Sequence, residues 1–270
     1  MSSRLTPRTF LVHGLLAGLV GGLLAFAVAF TVGEPPIDAA IAVEEAAAAP
    51  AEAGLTGGGE GVSLPAHGGE HEEGGITRDQ QAGPGLATAT VLFGVVLGGV
   101  AGIASAFALG RLGGLGPVAS TALVVGLGWT AYTVVPWLKY PPNPPAVGSG
   151  ETIGERTALY FGFVAVSVLA AIGAVLLGRA LLRRTGPWLA VVVAALAFVV
   201  VVLAAGLGLA PIDEVPDDFP ATTLYEFRLG ALATSTALWA GIGLVLTGLT
   251  ARSWSAFRAD AARRDLAASL

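Results

Sequence analysis

The chain has 270 residues, of which 54% are hydrophobic and 12% charged, with a formal net charge of −5 and a mean hydropathy of +0.75. A soluble domain of this size carries about 25% charged residues, so most of this chain faces something other than water. Cysteine is absent and Met1 is the only methionine. That excludes disulfides and thiolate sites and leaves His, carboxylate, hydroxyl and backbone oxygen as metal donors, a set suited to Co, Ni, Zn, Mn or Mg rather than Cu(I).

Six apolar runs contain no Asp, Glu, Lys or Arg: Phe10–Val32, Leu86–Leu109, Pro117–Trp137, Thr157–Gly178, Trp188–Leu209 and Leu229–Thr250. Each has about the 20 residues that a helix needs to cross ~30 Å of hydrocarbon. None shows the period-2 alternation of barrel strands. The expected fold is an all-α integral membrane protein of about six transmembrane helices. Its divisions are residues 1–32 (N-terminus and first span), 33–85 (an acidic Gly/Ala-rich loop), 86–250 (a five-helix membrane region) and 251–270 (a basic tail).

The first span follows Arg4 and Arg8. The small-residue sites Ala25-Phe26-Ala27 and Ala27-Val28-Ala29 would suit signal cleavage, but ~23 apolar residues exceed a usual signal core. Gly14, Gly18 and Gly22 form a small-xxx-small ladder, the mark of a packed membrane helix. Gly94, Gly98, Gly102 and Ala106 repeat it in the second span, and Ala233, Ala237 and Gly241 do so in the sixth.

Loop 33–85 carries Glu34, Asp38 and Glu44 near the end of the first span. The stretch Ala39–Ala53 reads as a short helix on the membrane surface. Glycine-rich residues 54–75 follow, with little to pack. Within them His67 and His71 stand among Glu70, Glu72 and Glu73. The spacing of four would place both imidazoles on one helix face, but Gly68-Gly69 argues for a chelating loop instead. A solvated acidic linker with incidental histidines is the plainer reading.

Loop 138–156 is more specific. Five prolines between Val135 and Gly148, with Asn143 the only asparagine of the chain, predict a stiff extended segment. Pro136 is expected to end the third span, with Trp137 and Tyr140 anchoring it at the membrane interface. The segment serves either as a lip over a mouth or as a cap on the hairpin. Three entries share a chemistry: Arg78-Asp79, Glu155-Arg156, and Glu226 with Arg228, where arginine pairs with its neighbouring acid or reaches the headgroups.

The loops alternate in sign. Ten of the 14 basic residues fall on one side, opposed only by Asp260 and Asp265, and 17 of the 19 acids fall on the other. The positive-inside bias places both termini in the cytoplasm. The outward acids would concentrate cations of any kind. Inside the membrane, ionisable groups are nearly missing: His13 lies near the start of the first span, and most hydroxyls there should bond to their own helix. There is no phosphate-binding glycine loop with its lysine, no nucleophile–base pair and no HExxH, so no enzymatic activity and no nucleic-acid partner are expected.

Several stretches together resemble one family. Gly33–Glu44 (GEPPIDAAIAVE), Thr77–Leu86 (TRDQQAGPGL), Lys139–Gly148 (KYPPNPPAVG), Thr152–Thr157 (TIGERT) and Asp218-Phe219-Pro220 with Phe227-Arg228 are similar to the CbtA family of probable cobalt transporter subunits. The resemblance implies an inner-membrane protein of cobalt uptake for cobalamin synthesis, with Co²⁺ carried rather than permanently bound. It also implies a small His-rich single-span partner, CbtB. The family's loop before the second span is histidine-bearing, and here His67 and His71 stand there with glycines between them. Homo-oligomerisation is open. The outer mouth expected on this reading is built from Glu34, Asp38, Glu44, Arg78, Gln81, Tyr140, Asn143, Glu155, Arg156 and Arg228. Passage is expected along hydroxyls and carbonyls at broken helix ends such as Pro136. The competing expectation is a membrane scaffold or assembly subunit that carries no ion.

Overall fold

The computed structural model describes residues 5–55, 77–145 and 147–269. All regular structure among them is helical. Six stretches are long and apolar enough to cross a membrane: Pro7–Ala46, Arg78–Ala108, Pro117–Lys139, Gly150–Thr185, Pro187–Gly208 and Ala221–Ala268. Each covers one of the six uncharged runs to within one residue.

The first stretch joins α1 (Pro7–Val28) to α2 (Glu34–Leu55) through a single π turn, Ala29–Gly33. Thr6 caps its start, accepting from Thr9 N at 3.2 Å, and a proline stands in the first turn, where its missing N–H costs nothing. The residues expected to form a separate surface helix therefore continue the first span. Glu34-Pro35-Pro36 falls at the start of α2, and the wider i→i+5 turn before it absorbs residues that would clash in an unbroken α-helix. The second stretch opens with α3 (Arg78–Gln80), set by a capping box in which Thr77 and Gln80 bond reciprocally, at 3.1 and 3.3 Å. A π turn, Gln81–Gly85, then carries Pro84 into α4 (Leu86–Ala108).

The third stretch corrects an expectation. Pro136 does not end it: α5 (Pro117–Trp129) runs through the π turn Thr130–Val134 into α6 (Val135–Lys139), where Pro136 occupies the first turn. The π turn spares the proline a lost i→i−4 bond, so the helix end is moved rather than broken. The fourth to sixth stretches are α7 (Ile153–Thr185), α8 (Pro187–Gly208) and α9 (Ala221–Ala268).

The bundle is assembled by backbone contact. A Cβ on Gly22 would lie 2.7 Å from Thr90 O, one on Gly94 2.8 Å from Gly22 Cα, and Gly14, Gly18, Gly98 and Gly102 face each other as closely. The glycine ladders of α1 and α4 are thus one antiparallel seam. On its other side α1 meets α9, where a Cβ on Gly241 would lie 2.6 Å from Gly21 Cα. Of the ladder expected in α9, Gly241 makes this close approach, Ala233 is exposed, and Gly230 adds an approach to Val32 O. The core around this seam holds Ala17, Ala25, Val125, Leu238, Trp239, Ile242 and Leu246. α7 and α8 form a hairpin attached through α6 and the turn before it. α8 has little buried area and exposes Trp188, Leu196, Leu203 and Leu207, as a lipid-facing helix should.

Gly98→Leu should cost at least about 1–3 kcal/mol by overpacking the seam and lower the apparent Tm of the detergent-solubilised protein. Gly126→Ala is the control, since nothing lies within 4 Å of its added Cβ; it should leave Tm unchanged or raise it slightly.

Candidate functional site

The four loop and entry residues Tyr140, Asn143, Arg156 and Arg228 come together. They line one cavity of about 450 Å³, with Phe93, Tyr132, Thr133, Trp137, Tyr160 and Ser235 deeper in the bundle. Its proline-rich lip has little backbone bonding of its own, Val147 N to Pro144 O at 3.3 Å, because four of its residues lack an N–H. Side chains hold it instead. Arg228 donates from Nη2 to Asn143 Oδ1 at 2.9 Å and from Nε to Pro142 O at 3.4 Å. Trp137 Nε1 returns a bond to Arg228 O at 3.2 Å.

The end of α8 is tied in by the same logic. Lys139 Nζ donates to Leu209 O at 3.2 Å, and the Tyr140 hydroxyl to Ala210 O at 2.8 Å. These carbonyls lie at a helix C-terminus, where acceptors lack intrahelical partners and a cation is favoured. Tyr140 is buried, edge-on to Phe163 at 5.9 Å. Burial pushes its phenol pKa up, so it remains a neutral donor. Tyr140 is therefore an internal clasp rather than the interfacial anchor expected, and Trp137 is half-buried and bonded to α9.

Arg156 bonds Ser149 O at 2.9 Å and pairs with Glu214 at 3.2 Å, both partners being half-buried. Gly148 makes this geometry possible. Its φ of +104° is one that other residues rarely adopt, and a Cβ there would lie 2.7 Å from Glu214 Oε2. A second cluster gathers Glu34, Asp38 and Arg78. The Arg78 guanidinium bonds Glu34 Oε2 and, at 2.9 and 3.3 Å, Asp38 Oδ1. Glu34 is 9% exposed. Two carboxylates face one guanidinium, which leaves the cluster with a net charge of −1.

The pairing of each arginine with its sequence neighbour is overturned. Arg78 takes Glu34 and Asp38, Arg156 takes Glu214, and Arg228 takes Asn143 and the Pro142 carbonyl. Glu155 is exposed in the first turn of α7, Glu44 is exposed on α2, and Gln81 begins a π turn. His67, His71, Glu70, Glu72 and Glu73 lie outside the described residues, among which no group of three or more His, Cys, Asp or Glu is placed to hold a metal. Sequence reasoning missed Glu214, and it expected the inner hydroxyls to bond to their own helices. Thr133 Oγ1 accepts from Trp239 Nε1 at 3.0 Å and Thr236 Oγ1 from Trp129 Nε1 at 3.3 Å. Most other hydroxyls bond back to their own helix, as Thr90, Thr121 and Thr250 do.

Six apolar helices packed through glycine, with polar chemistry gathered at one end, define a multi-pass membrane protein. The model of the family described as "Probable cobalt transporter subunit (CbtA)" matches residues 7–251, from the start of α1 to α9. The chain belongs to the CbtA family. No curated protein and no solved structure matches it. The family is one of transporter subunits rather than enzymes, Co²⁺ is the ion it points to, and a subunit implies partner subunits.

Arg228→Lys removes the fork that reaches two acceptors. It should cost about 1–3 kcal/mol and speed amide hydrogen exchange across residues 140–149. Unchanged exchange there would mean that the lip is held by other contacts.

Proposed function

We propose that this chain is the membrane subunit of a divalent-metal uptake system, with Co²⁺ as its substrate, serving cobalamin synthesis from the inner membrane. Membership of the cobalt transporter subunit family over residues 7–251 carries this reading. The acidic end of the bundle faces outward, both termini face the cytoplasm, and the loop with His67, His71, Glu70, Glu72 and Glu73 collects the ion.

The Glu34–Asp38–Arg78 cluster supports a next step. A buried carboxylate is costly unless compensated, and Arg78 supplies that compensation while no metal is there. The arriving divalent cation competes with the guanidinium for the same oxygens, and the residual negative charge favours it. Arg78 then acts as a stand-in cation that keeps the site intact between transport events. A small His-rich single-span subunit of the CbtB kind would complete the path.

A different observation favours a scaffold that carries no ion. The cavity under the proline-rich lip is lined by two guanidiniums, Arg156 and Arg228, which repel a divalent cation. On the transport reading these residues shape the mouth and the ion passes by the carboxylates.

Two variants test the proposal in cells at limiting cobalt. Glu34→Gln should lower Co²⁺ uptake about tenfold, the equivalent of about 1.4 kcal/mol of lost binding, while leaving membrane protein levels unchanged. His67→Ala with His71→Ala should lower uptake at limiting cobalt and be rescued at high cobalt. Wild-type uptake by either variant removes its residues from the path.

A further inference from the structure

At the opposite end of the bundle a second cleft, of about 660 Å³, lies between the turn after α4 and the last turns of α7. It is lined by Arg111, Arg179, Arg183, Arg184 and Leu176. Residues 176, 179, 180, 183 and 184 recur at the i, i+3, i+4, i+7, i+8 spacing of one helix face. Gly110 and Gly113, both at positive φ (70° and 63°), turn the facing chain so that Arg111 enters the same cleft.

The charge state of this cleft differs from that of the acidic end. There, Arg78, Arg156 and Arg228 each have acceptors from other elements. Here, none of the ion pairs among the described residues involves the four arginines. The Arg111 guanidinium bonds the Phe107 carbonyl of its own helix end, at 2.8 Å. The helix dipole favours cations at the end of α7 by roughly 0.3–1 kcal/mol each, but only within the last turn. Like charges at i, i+4, such as Arg179 and Arg183, cost a similar amount on an exposed helix. The two effects nearly cancel, so the dipole alone does not account for four converging guanidiniums. An anion does.

Leu176 lines the cleft one turn further into the apolar span, and it is 55% exposed. Leu115, just past the turn that carries Arg111, is also exposed. The cleft is thus cationic at its rim and apolar toward the bilayer. We propose that it binds the phosphate headgroup of an anionic phospholipid, with the acyl chains lying on the exposed leucines. Basic pockets between membrane helices suit such headgroups, and the forked guanidinium matches phosphate oxygens. Free phosphate shares the headgroup chemistry but would leave the leucines uncovered.

Native mass spectrometry of the full chain, released from detergent with added phosphatidylglycerol or phosphatidylcholine, tests this. Wild type should retain phosphatidylglycerol in preference to phosphatidylcholine. Arg179→Gln/Arg183→Gln/Arg184→Gln should bind phosphatidylglycerol on the order of 10²-fold more weakly, from about fivefold per arginine. Arg258→Gln/Arg263→Gln/Arg264→Gln removes the same charge from the end of α9 and should change little. Should the cleft variant not fold, Arg183→Gln alone should show the fivefold loss. Equal retention of both lipids, or equal loss in the α9 variant, would overturn the proposal. Displacement of the lipid by millimolar inorganic phosphate would overturn the lipid as the source and assign the cleft to a free anion.

Discussion

Everything in this molecule depends on the approach of two backbones, α1 and α4, along a ladder of glycines. Between helices in lipid there is no hydrophobic driving force, because the surrounding chains are as apolar as leucine. Close packing has to supply the attraction, and only glycine lets backbone meet backbone. The Gly14–Gly18–Gly22 face against Gly94–Gly98–Gly102 does this. Once α1 is fixed on one face, Gly21 and Gly241 bring α9 onto another. α9 in turn receives α5 through Gly128, whose open side is filled by the Trp239 ring. The α7–α8 hairpin is the least embedded part, held where α6 and its lip reach it.

That frame divides the chemistry between two ends. At one end three arginines are consumed by structure: they bind carbonyls, an asparagine and three carboxylates, and so convert proline-rich and acidic loops into a fixed surface. At the other end four arginines converge without such partners. The π turns before Glu34, around Pro84 and before Pro136 all lie at the acidic end. They let helices run past residues that should stop them, and they carry Glu34 and Tyr140 to the bonds they make with Arg78 and Ala210 O.

Much of the fold is legible in the sequence, because the bilayer imposes a length and a composition on each span. The six uncharged runs are the six helices, and the ladders in α1 and α4 are their contact. What the sequence hides is partnership across loops. Arg78, Arg156 and Arg228 each have an acid within two residues, and each passes it over for a group on another element. Glu214, between Asp213 and Val215, shows no period that would mark it as the mate of Arg156. Pro136 and the Glu34-Pro35-Pro36 stretch misled for a related reason. A proline ends a helix only if no wider turn precedes it, and π turns leave no compositional trace. The Trp137–Tyr140 pair likewise has the composition of an interfacial belt, but its polar atoms bond carbonyls of α9 and of the chain just past α8. The metal candidates His67, His71, Glu70, Glu72 and Glu73 lie outside the described residues. Of the acids expected at the outer mouth near the first span, Glu34 and Asp38 are seen in a defined arrangement, on Arg78.

The central claim is that this bundle carries Co²⁺. The most direct test is Co²⁺ entry into liposomes holding the purified chain, alone and with the proposed small His-rich subunit, against Ni²⁺, Zn²⁺ and Mg²⁺. The account predicts selective Co²⁺ entry, with the chain alone or once the partner is added. No flux in either case, with the protein folded and correctly oriented, would contradict it and assign the chain to the scaffold role.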